Sequence, residues 1–284
     1  MSQPRAWITG AGGLIGSHLV RTAAQFAPGW RVQGLTRDQL DLTDDNAVRR
    51  VFQQESPALV VHCAALTSSA VCQQQPALAR RLNVDVTACL AELAAATPLI
   101  LFSTDLVFDG RQGNYDESAE PIPRSVYAET KVAAEQIILR NPRHTVIRTS
   151  LNYGISPTGD RAFNEQMRRA WQAGQTLRLF TDEFRCPIPA EITAQAVWVL
   201  AGLNRPGLYH LAGRERLSRW QIGQLLAARW PHLNPRLQPE SIGNYQGAPR
   251  SPDTSLDCAK IQKLLPFSLP GFSQWLTEHP DEAL

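Results

Sequence analysis

Tyr127-Ala128-Glu129-Thr130-Lys131 places a phenol and a primary amine four residues apart in a stretch that reads as helix. Residues at that spacing share one helix face. A phenol with its ordinary pKa near 10 exchanges protons poorly at neutral pH, and a neighbouring ammonium is expected to lower that value by stabilising the phenolate. Such a tyrosine can pass a proton to a carbonyl oxygen while a hydride arrives at the carbon. Lys131 is one of only three lysines in the chain. A second chemical group is Ser103-Thr104-Asp105, where the Thr104 hydroxyl at the end of a strand can hydrogen-bond and polarise the same carbonyl. Thr104, Tyr127 and Lys131 are therefore the candidate catalytic residues.

A third signal lies at the start of the chain. Thr9-Gly10-Ala11-Gly12-Gly13-Leu14-Ile15-Gly16 is T-G-x-x-G-x-x-G between a strand and a helix, the context in which a glycine turn cradles a dinucleotide pyrophosphate. Gly10 suits the tight turn, and Gly13 lets an anion approach the helix N-terminus, with its free N–H groups. Gly16 allows close helix–strand packing. Leu14 and Ile15 complete the segment expected against the cofactor. The second strand ends Leu35-Thr36-Arg37, without the carboxylate that pairs with a ribose 2′-hydroxyl. A guanidinium there suits a 2′-phosphate, so NADP(H) is the expected cofactor, with NAD(H) the alternative.

These groups need a scaffold that brings strand ends together. Short apolar runs at 6–9, 31–35, 58–62, 99–102 and 145–148 alternate with helical stretches at 14–26, 46–54, 76–96 and 126–139. That order predicts an α/β, Rossmann-like, doubly wound parallel sheet whose ligands sit beyond the carboxyl ends of the strands. Residues 1–150 are read as the NADP(H)-binding domain and 151–284 as mainly a smaller substrate lobe, partly interleaved with the sheet. Within the second part, 162–173, 191–203, 218–230 and 272–278 read as helices, and Pro231 to Pro252 is the least regular stretch.

Composition narrows the class. The chain has 284 residues, 43% of them apolar, enough for a substantial core. Net charge is +2 with no block of like charge, which argues against a nucleic-acid partner. No apolar run approaches the ~18 residues of a membrane helix. Met1 to Arg5 lead into a strand without an apolar leader, and five cysteines without C-x-x-C point to reduced thiols, so the expected location is the cytoplasm. The six histidines show no metal-binding spacing, and no metal site is expected.

The three motifs, in this order and each after the appropriate element, resemble the extended short-chain dehydrogenase/reductase family. The chain is most similar to its dTDP-4-dehydrorhamnose reductase-like branch. The likeness is carried by Leu40-Asp41-Leu42-Thr43-Asp44, Phe102 to Gly110, Arg148-Thr149-Ser150, Asp182 to Pro187 and Arg250 to Leu256, nearly end to end. The resemblance implies that Thr104, Tyr127 and Lys131 form the catalytic set, with Lys131 also on the nicotinamide ribose. It places Asp41 and Leu42 near the adenine, Cys63-Ala64-Ala65 along the cofactor, and Asn83 at a structural position. The implied substrate is a sugar-like molecule, best a nucleotide-linked 4-keto-deoxysugar. Asp105, Arg185 and Arg250 are candidate substrate contacts, since arginine suits a diphosphate, or else structural ion pairs. Leu106 and Leu151 stand where the family has aromatic residues at the sugar pocket, which leaves substrate identity open. Two other readings share these motifs: an epimerase or dehydratase with a transient hydride, and a non-catalytic NADP-binding regulatory subunit. The family often pairs as a homodimer through the helices read at 76–96 and 126–139, whose apolar pattern fits burial within one subunit as well.

Overall fold

The structure is a computed structural model that describes residues 3–280. Residues 1–2 and 281–284, with the parts of the domain and leader readings that fall on them, lie outside the described residues. In the first half, strands β1 (Arg5–Thr9), β2 (Arg31–Leu35), β3 (Leu59–His62), β4 (Leu99–Thr104) and β5 (Thr145–Thr149) alternate with helices. These are α1 (Leu14–Phe26), α2 (Asp45–Glu55), α3 (Ser69–Gln74), α4 (Pro76–Arg80), α5 (Val86–Leu93) and α6 (Val126–Ile138). The second half adds β6 (Asn152–Tyr153), α7 (Phe163–Gln172), β7 (Thr176–Phe180), β8 (Phe184–Arg185), β9 (Ile188–Pro189) and α8 (Ala190–Leu203). It continues with β10 (Gly207–Leu211), β11 (Leu217–Ser218), α9 (Arg219–Arg229), β12 (Arg236–Glu240), α10 (Ala259–Gln262) and α11 (Phe272–Glu278).

Six parallel strands form the central sheet in the order β10-β5-β4-β3-β1-β2. The side-chain alternation of a strand sorts its residues onto two cores. Ala6 and Ile8 of β1, Leu59 and Val61 of β3 and Ile100 and Phe102 of β4 face one core, closed by α1 and α8. Trp7, Val60, Leu99 and Leu101 face the other, closed by α2, α5 and α6. Both faces are covered, which is why these strands read as continuous apolar runs. The chain reverses its direction of winding between β1 and β3, and the cleft of such sheets lies at that switch point. The C-terminal half supplies β10 to the sheet edge and α8 to one core, and builds its own apolar cluster around Tyr153, Phe163, Trp171, Ile222, Trp230 and Phe272.

Two local readings change. The helix read over 76–96 is interrupted by a π turn, Arg81–Asp85, and ends at Leu93. That turn carries Asn83, whose side chain binds Leu66 N (2.7 Å), Leu66 O (3.1 Å) and Thr130 Oγ1 (3.0 Å), tying the segment after β3 to α6. Π turns break the ordinary helical period, so periodicity alone misses them. Pro231 to Pro252 is not wholly irregular: β12 pairs in parallel with β7, its Pro239 tolerated because the strand pairs on one side only.

His18, His62 and His210 are buried, and desolvation pulls their pKa values from 6.5 to about 4, about 3 and about 4. The unfolded chain takes up these protons near pH 6.5, whereas the native state does not until far lower pH. Acidification through that window therefore favours the unfolded state. Urea unfolding at pH 5 is expected to show a lower stability than at pH 7, by roughly 2 kcal/mol for each fully buried histidine. Equal unfolding midpoints at the two pH values would contradict this.

Candidate active site

The glycine turn is built by close backbone approach. Gly10 has φ +69° and packs so tightly on the segment after β3 that a Cβ would meet Ala64 N at 2.7 Å. A Cβ at Gly16 would meet Gly10 O at 2.4 Å, so α1 is pressed against its own turn. Gly13 is the N-cap of α1 and offers no side chain to the helix; its first turn holds no acidic residue. The N–H groups there are left for an external anion, and the residues present fit the pyrophosphate of a dinucleotide. Leu14 and Ile15 begin the helix. Cys63, Ala64 and Ala65 cross the turn directly beyond β3, with Ala64 N 3.4 Å from Thr9 Oγ1. The Arg37 side chain, 85% exposed, lies just beyond the end of β2 and pairs with Asp41 at 3.9 Å. The Asp41 carboxylate is engaged by Thr43 N (2.9 Å) and Thr43 Oγ1 (2.8 Å), and Leu42 packs into the second core.

Thr104 is the last residue of β4, and Tyr127 and Lys131 lie on the buried face of α6. α6 starts at Ser125, whose hydroxyl accepts from Ala128 N and caps the helix. The fold thus sets the Thr104 hydroxyl, which donates to Asp105 Oδ1 (3.2 Å), on the side of α6 that carries the phenol and the amine, and Lys131 is buried beside Cys63 and His62. The expected depression of the Tyr127 pKa is not found. Burial pushes it upward, the Asp105 carboxylate adds to this, and the Thr104 hydroxyl and Arg185 oppose. The phenol is dry and faces a carboxylate, so it is held protonated. Lys131 is pulled down to about 8 by burial, with Glu135 and Cys63 acting in the opposite direction.

Asp105 is 1% exposed and accepts from Arg185 Nη1 (2.9 Å), Ser150 Oγ (2.7 Å) and Thr254 Oγ1 (3.1 Å). Arg185 also donates to Thr254 Oγ1 (2.7 Å) and is itself 6% exposed. This pair belongs to the wall that joins the sheet to the second lobe. Arg250 pairs with Glu183 (2.8 Å) and packs over the touching rings of Phe180 and Tyr245, beside a cavity of about 300 Å³ that Arg124 also lines. A larger concavity, about 560 Å³, opens at the opposite end of the sheet around Phe52 and Thr97 and holds none of the motif residues. Leu106 packs against Tyr127 and Cys72, and Leu151 against the lobe cluster.

Sequence reasoning missed Arg219. Its guanidinium rests over the Phe163 ring, 5.5 Å from the centroid, and makes no ion pair or hydrogen bond among the described residues. Burial lowers its pKa to about 10, and Glu183, Arg185, Arg250 and Asp105 all act on it. Three guanidiniums thus share two carboxylates, which leaves an excess positive charge. Nothing in the linear sequence marks Arg219, because its significance comes from neighbours distant in the chain. Among the described residues no cluster of His, Cys, Asp or Glu is arranged to hold a metal ion, and no helix is long and apolar enough to cross a membrane.

Comparison with known proteins gives a consistent picture. The family model described as RmlD substrate binding domain matches residues 5–283. The chain is 31% identical over 233 residues to a probable low-salt glycan biosynthesis reductase of Haloferax volcanii, covering 77% of this chain and 78% of that protein. It is 29% identical over 276 residues to methionine adenosyltransferase 2 subunit beta of Xenopus laevis, covering 92% and 82%. Among solved structures, a dTDP-4-dehydrorhamnose reductase from Clostridium acetobutylicum superposes with a TM-score of 0.88 at 23% identity over 98% of both chains. The enzyme of the same name from Bacillus anthracis, in complex with NADP, gives 0.87 at 22% over 98% of both.

Replacing Asp105 by alanine removes the nearer of the two carboxylates on buried Arg185 and leaves only Glu183, 3.7 Å from its Nε; breaking a buried pair costs about 3 kcal/mol. Asp105→Ala is expected to lose stability on that scale in chemical denaturation. An unchanged unfolding midpoint would contradict a structural role for the carboxylate.

Proposed function

Because the chain belongs to the RmlD substrate binding domain family, within the extended short-chain dehydrogenases/reductases, we propose that it is an NADP(H)-dependent reductase of a keto group on a sugar-like, nucleotide-linked substrate. The observation that carries this reading is the convergence of Thr104, Tyr127 and Lys131 at the end of β4, next to the uncapped N-terminus of α1. The bound nicotinamide would supply or accept the hydride. The protein's own part is to hold the carbonyl oxygen by the Thr104 and Tyr127 hydroxyls and to release the tyrosine proton to it. A phenol kept protonated by burial starts in the form a proton donor needs. The Lys131 ammonium stabilises the phenolate left behind and offers a donor to the ribose. The excess charge around Arg185, Arg219 and Arg250 favours an anionic handle, which supports a diphosphate-linked sugar over a free one. Arg37 at the end of β2 supports NADP(H) over NAD(H).

A second reading has its own support. The likeness to methionine adenosyltransferase 2 subunit beta extends over 92% of this chain. A nucleotide-binding subunit of another enzyme is the function it favours. Binding of NADPH without oxidation by any nucleotide-linked keto-sugar, together with a co-purifying enzyme, would establish it.

Two assays test the reductase reading. NADPH absorbance is followed with nucleotide-linked 4-keto-sugars, and Tyr127→Phe is expected to lower the rate by about 10²–10⁴ while NADPH still binds; a variant as active as the parent refutes the role of the phenol. Arg219→Gln is expected to raise KM for the nucleotide-linked substrate about tenfold with little change in kcat. An unaltered KM removes Arg219 from substrate binding.

A further inference from the structure

We propose that Asp105 is the positioning residue for the Thr104 hydroxyl: its Oδ1 takes the Thr104 proton in the resting site, and a keto oxygen is held only by drawing that proton off the carboxylate. The proposal rests on the reductase reading for the keto oxygen alone. The direction of the hydroxyl is a property of the protein by itself.

The two oxygens of Asp105 have different partners. Oδ2 accepts from Arg185 Nη1 (2.9 Å), Ser150 Oγ (2.7 Å) and Thr254 Oγ1 (3.1 Å). None of these donors reverses without loss. A guanidinium has no lone pair to offer. Ser150 Oγ accepts from Cys186 N (3.2 Å), and Thr254 Oγ1 accepts from Arg185 Nη1 (2.7 Å), which turns both hydroxyl protons to the carboxylate. Arg185 comes from β8, Thr254 from the stretch after Arg250 and Ser150 from just beyond β5, so two of the three anchors belong to the second lobe. Oδ1 is left facing Thr104, the last residue of β4, 3.2 Å from its Oγ1. A carboxylate paired with a guanidinium only accepts, so the Thr104 hydroxyl is the donor. Thr104 Oγ1 accepts in turn from Leu106 N (3.2 Å). The single proton of the hydroxyl is therefore directed at Asp105, and the oxygen presents only a lone pair to the site.

A carbonyl oxygen accepts hydrogen bonds and has none to donate. Thr104 can hold it only after turning its proton away from Oδ1. The bond given up is long for O–H···O, whose usual range ends at about 3.0 Å, so an oxygen arriving at ordinary distance competes for the proton. Thr104 Oγ1 keeps its place at the strand end through Leu106 N while the proton swings. Asp105 thus sets what it costs to use the hydroxyl. A carboxylate with a purely structural task needs only the three donors on Oδ2. The contact through Oδ1 is what joins it to the reacting group.

Asparagine at position 105 separates these two tasks. Its amide oxygen must replace Oδ2, where the three donors converge, and its NH₂ group then faces Thr104. The amide donates to Thr104 Oγ1, and the hydroxyl proton turns toward the cleft. Neutron diffraction from crystals of the deuterated, nucleotide-free protein locates that deuteron directly. It is expected to point at Asp105 Oδ1 in the wild type and away from residue 105 in Asp105→Asn. A wild-type deuteron aimed elsewhere overturns the proposal, and the wild-type map decides this even where Asp105→Asn fails to fold. In the NADPH assay with nucleotide-linked 4-keto-sugars, Asp105→Asn is expected to lower KM about tenfold, with a smaller change in kcat. In the Thr104→Val background the same substitution is expected to leave KM unmoved. Loss of a merely structural carboxylate weakens both backgrounds alike. A KM that stays or rises in Asp105→Asn, or that falls equally in the valine background, overturns the role of Asp105. If no keto-sugar is turned over, the reductase reading fails while the neutron map still reads the direction of the hydroxyl.

Discussion

A carboxylate enclosed in a protein needs partners that replace its water, and the partners of Glu135 organise this site. Arg148 and Ser103 hold Glu135, one turn beyond Lys131 on α6, from two strands of the sheet. These contacts fix how α6 lies against the end of β4. Thr104, Tyr127 and Lys131 meet because the helix and the strand are tied through that carboxylate.

The larger architecture serves the same end. Alternation along β1, β3 and β4 commits each strand to two apolar cores, one under α1 and α8 and the other under α2, α5 and α6. With both faces sealed, the carboxyl ends of the strands are where polar chemistry can be exposed. The winding reversal between β1 and β3 puts the glycine turn, the Cys63–Ala65 segment and Thr104 around one cleft. On the far side of that cleft the second lobe contributes Arg185, Arg219 and Arg250 around its own Glu183, and Arg185 meets Asp105 across the junction. The sheet and α6 carry the residues proposed for the proton chemistry, and the lobe carries the charge proposed to receive an anionic substrate.

Much of this was legible in the linear chain, for physical reasons. A parallel sheet buried on both faces writes itself as apolar runs, so five of its strands and α1 were read with bounds close to those found. The glycine turn was legible because only glycine tolerates the approach of Ala64 to Gly10. What was not legible depended on contacts between distant residues. The upward shift of the Tyr127 pKa comes from burial and from Asp105, 22 positions away in the sequence, and so reverses the effect expected from a lysine one helical turn off. The π turn at Arg81–Asp85 breaks the period on which a helix is recognised. Arg219 is one arginine among many until the fold sets it beside Arg185 and Arg250.

The central claim is that Tyr127 hands a proton to a carbonyl held against a nicotinamide. It is tested most directly by transfer of deuterium from NADPH labelled at the nicotinamide C4 position to nucleotide-linked 4-keto-sugars, followed by NMR of the sugar product. The account predicts one deuterium on the former carbonyl carbon with the wild-type chain and almost none, over the same time, with Tyr127→Phe. Deuterium transferred equally well by the phenylalanine variant, or NADPH bound by the wild type with no label passed to any keto-sugar, would contradict it.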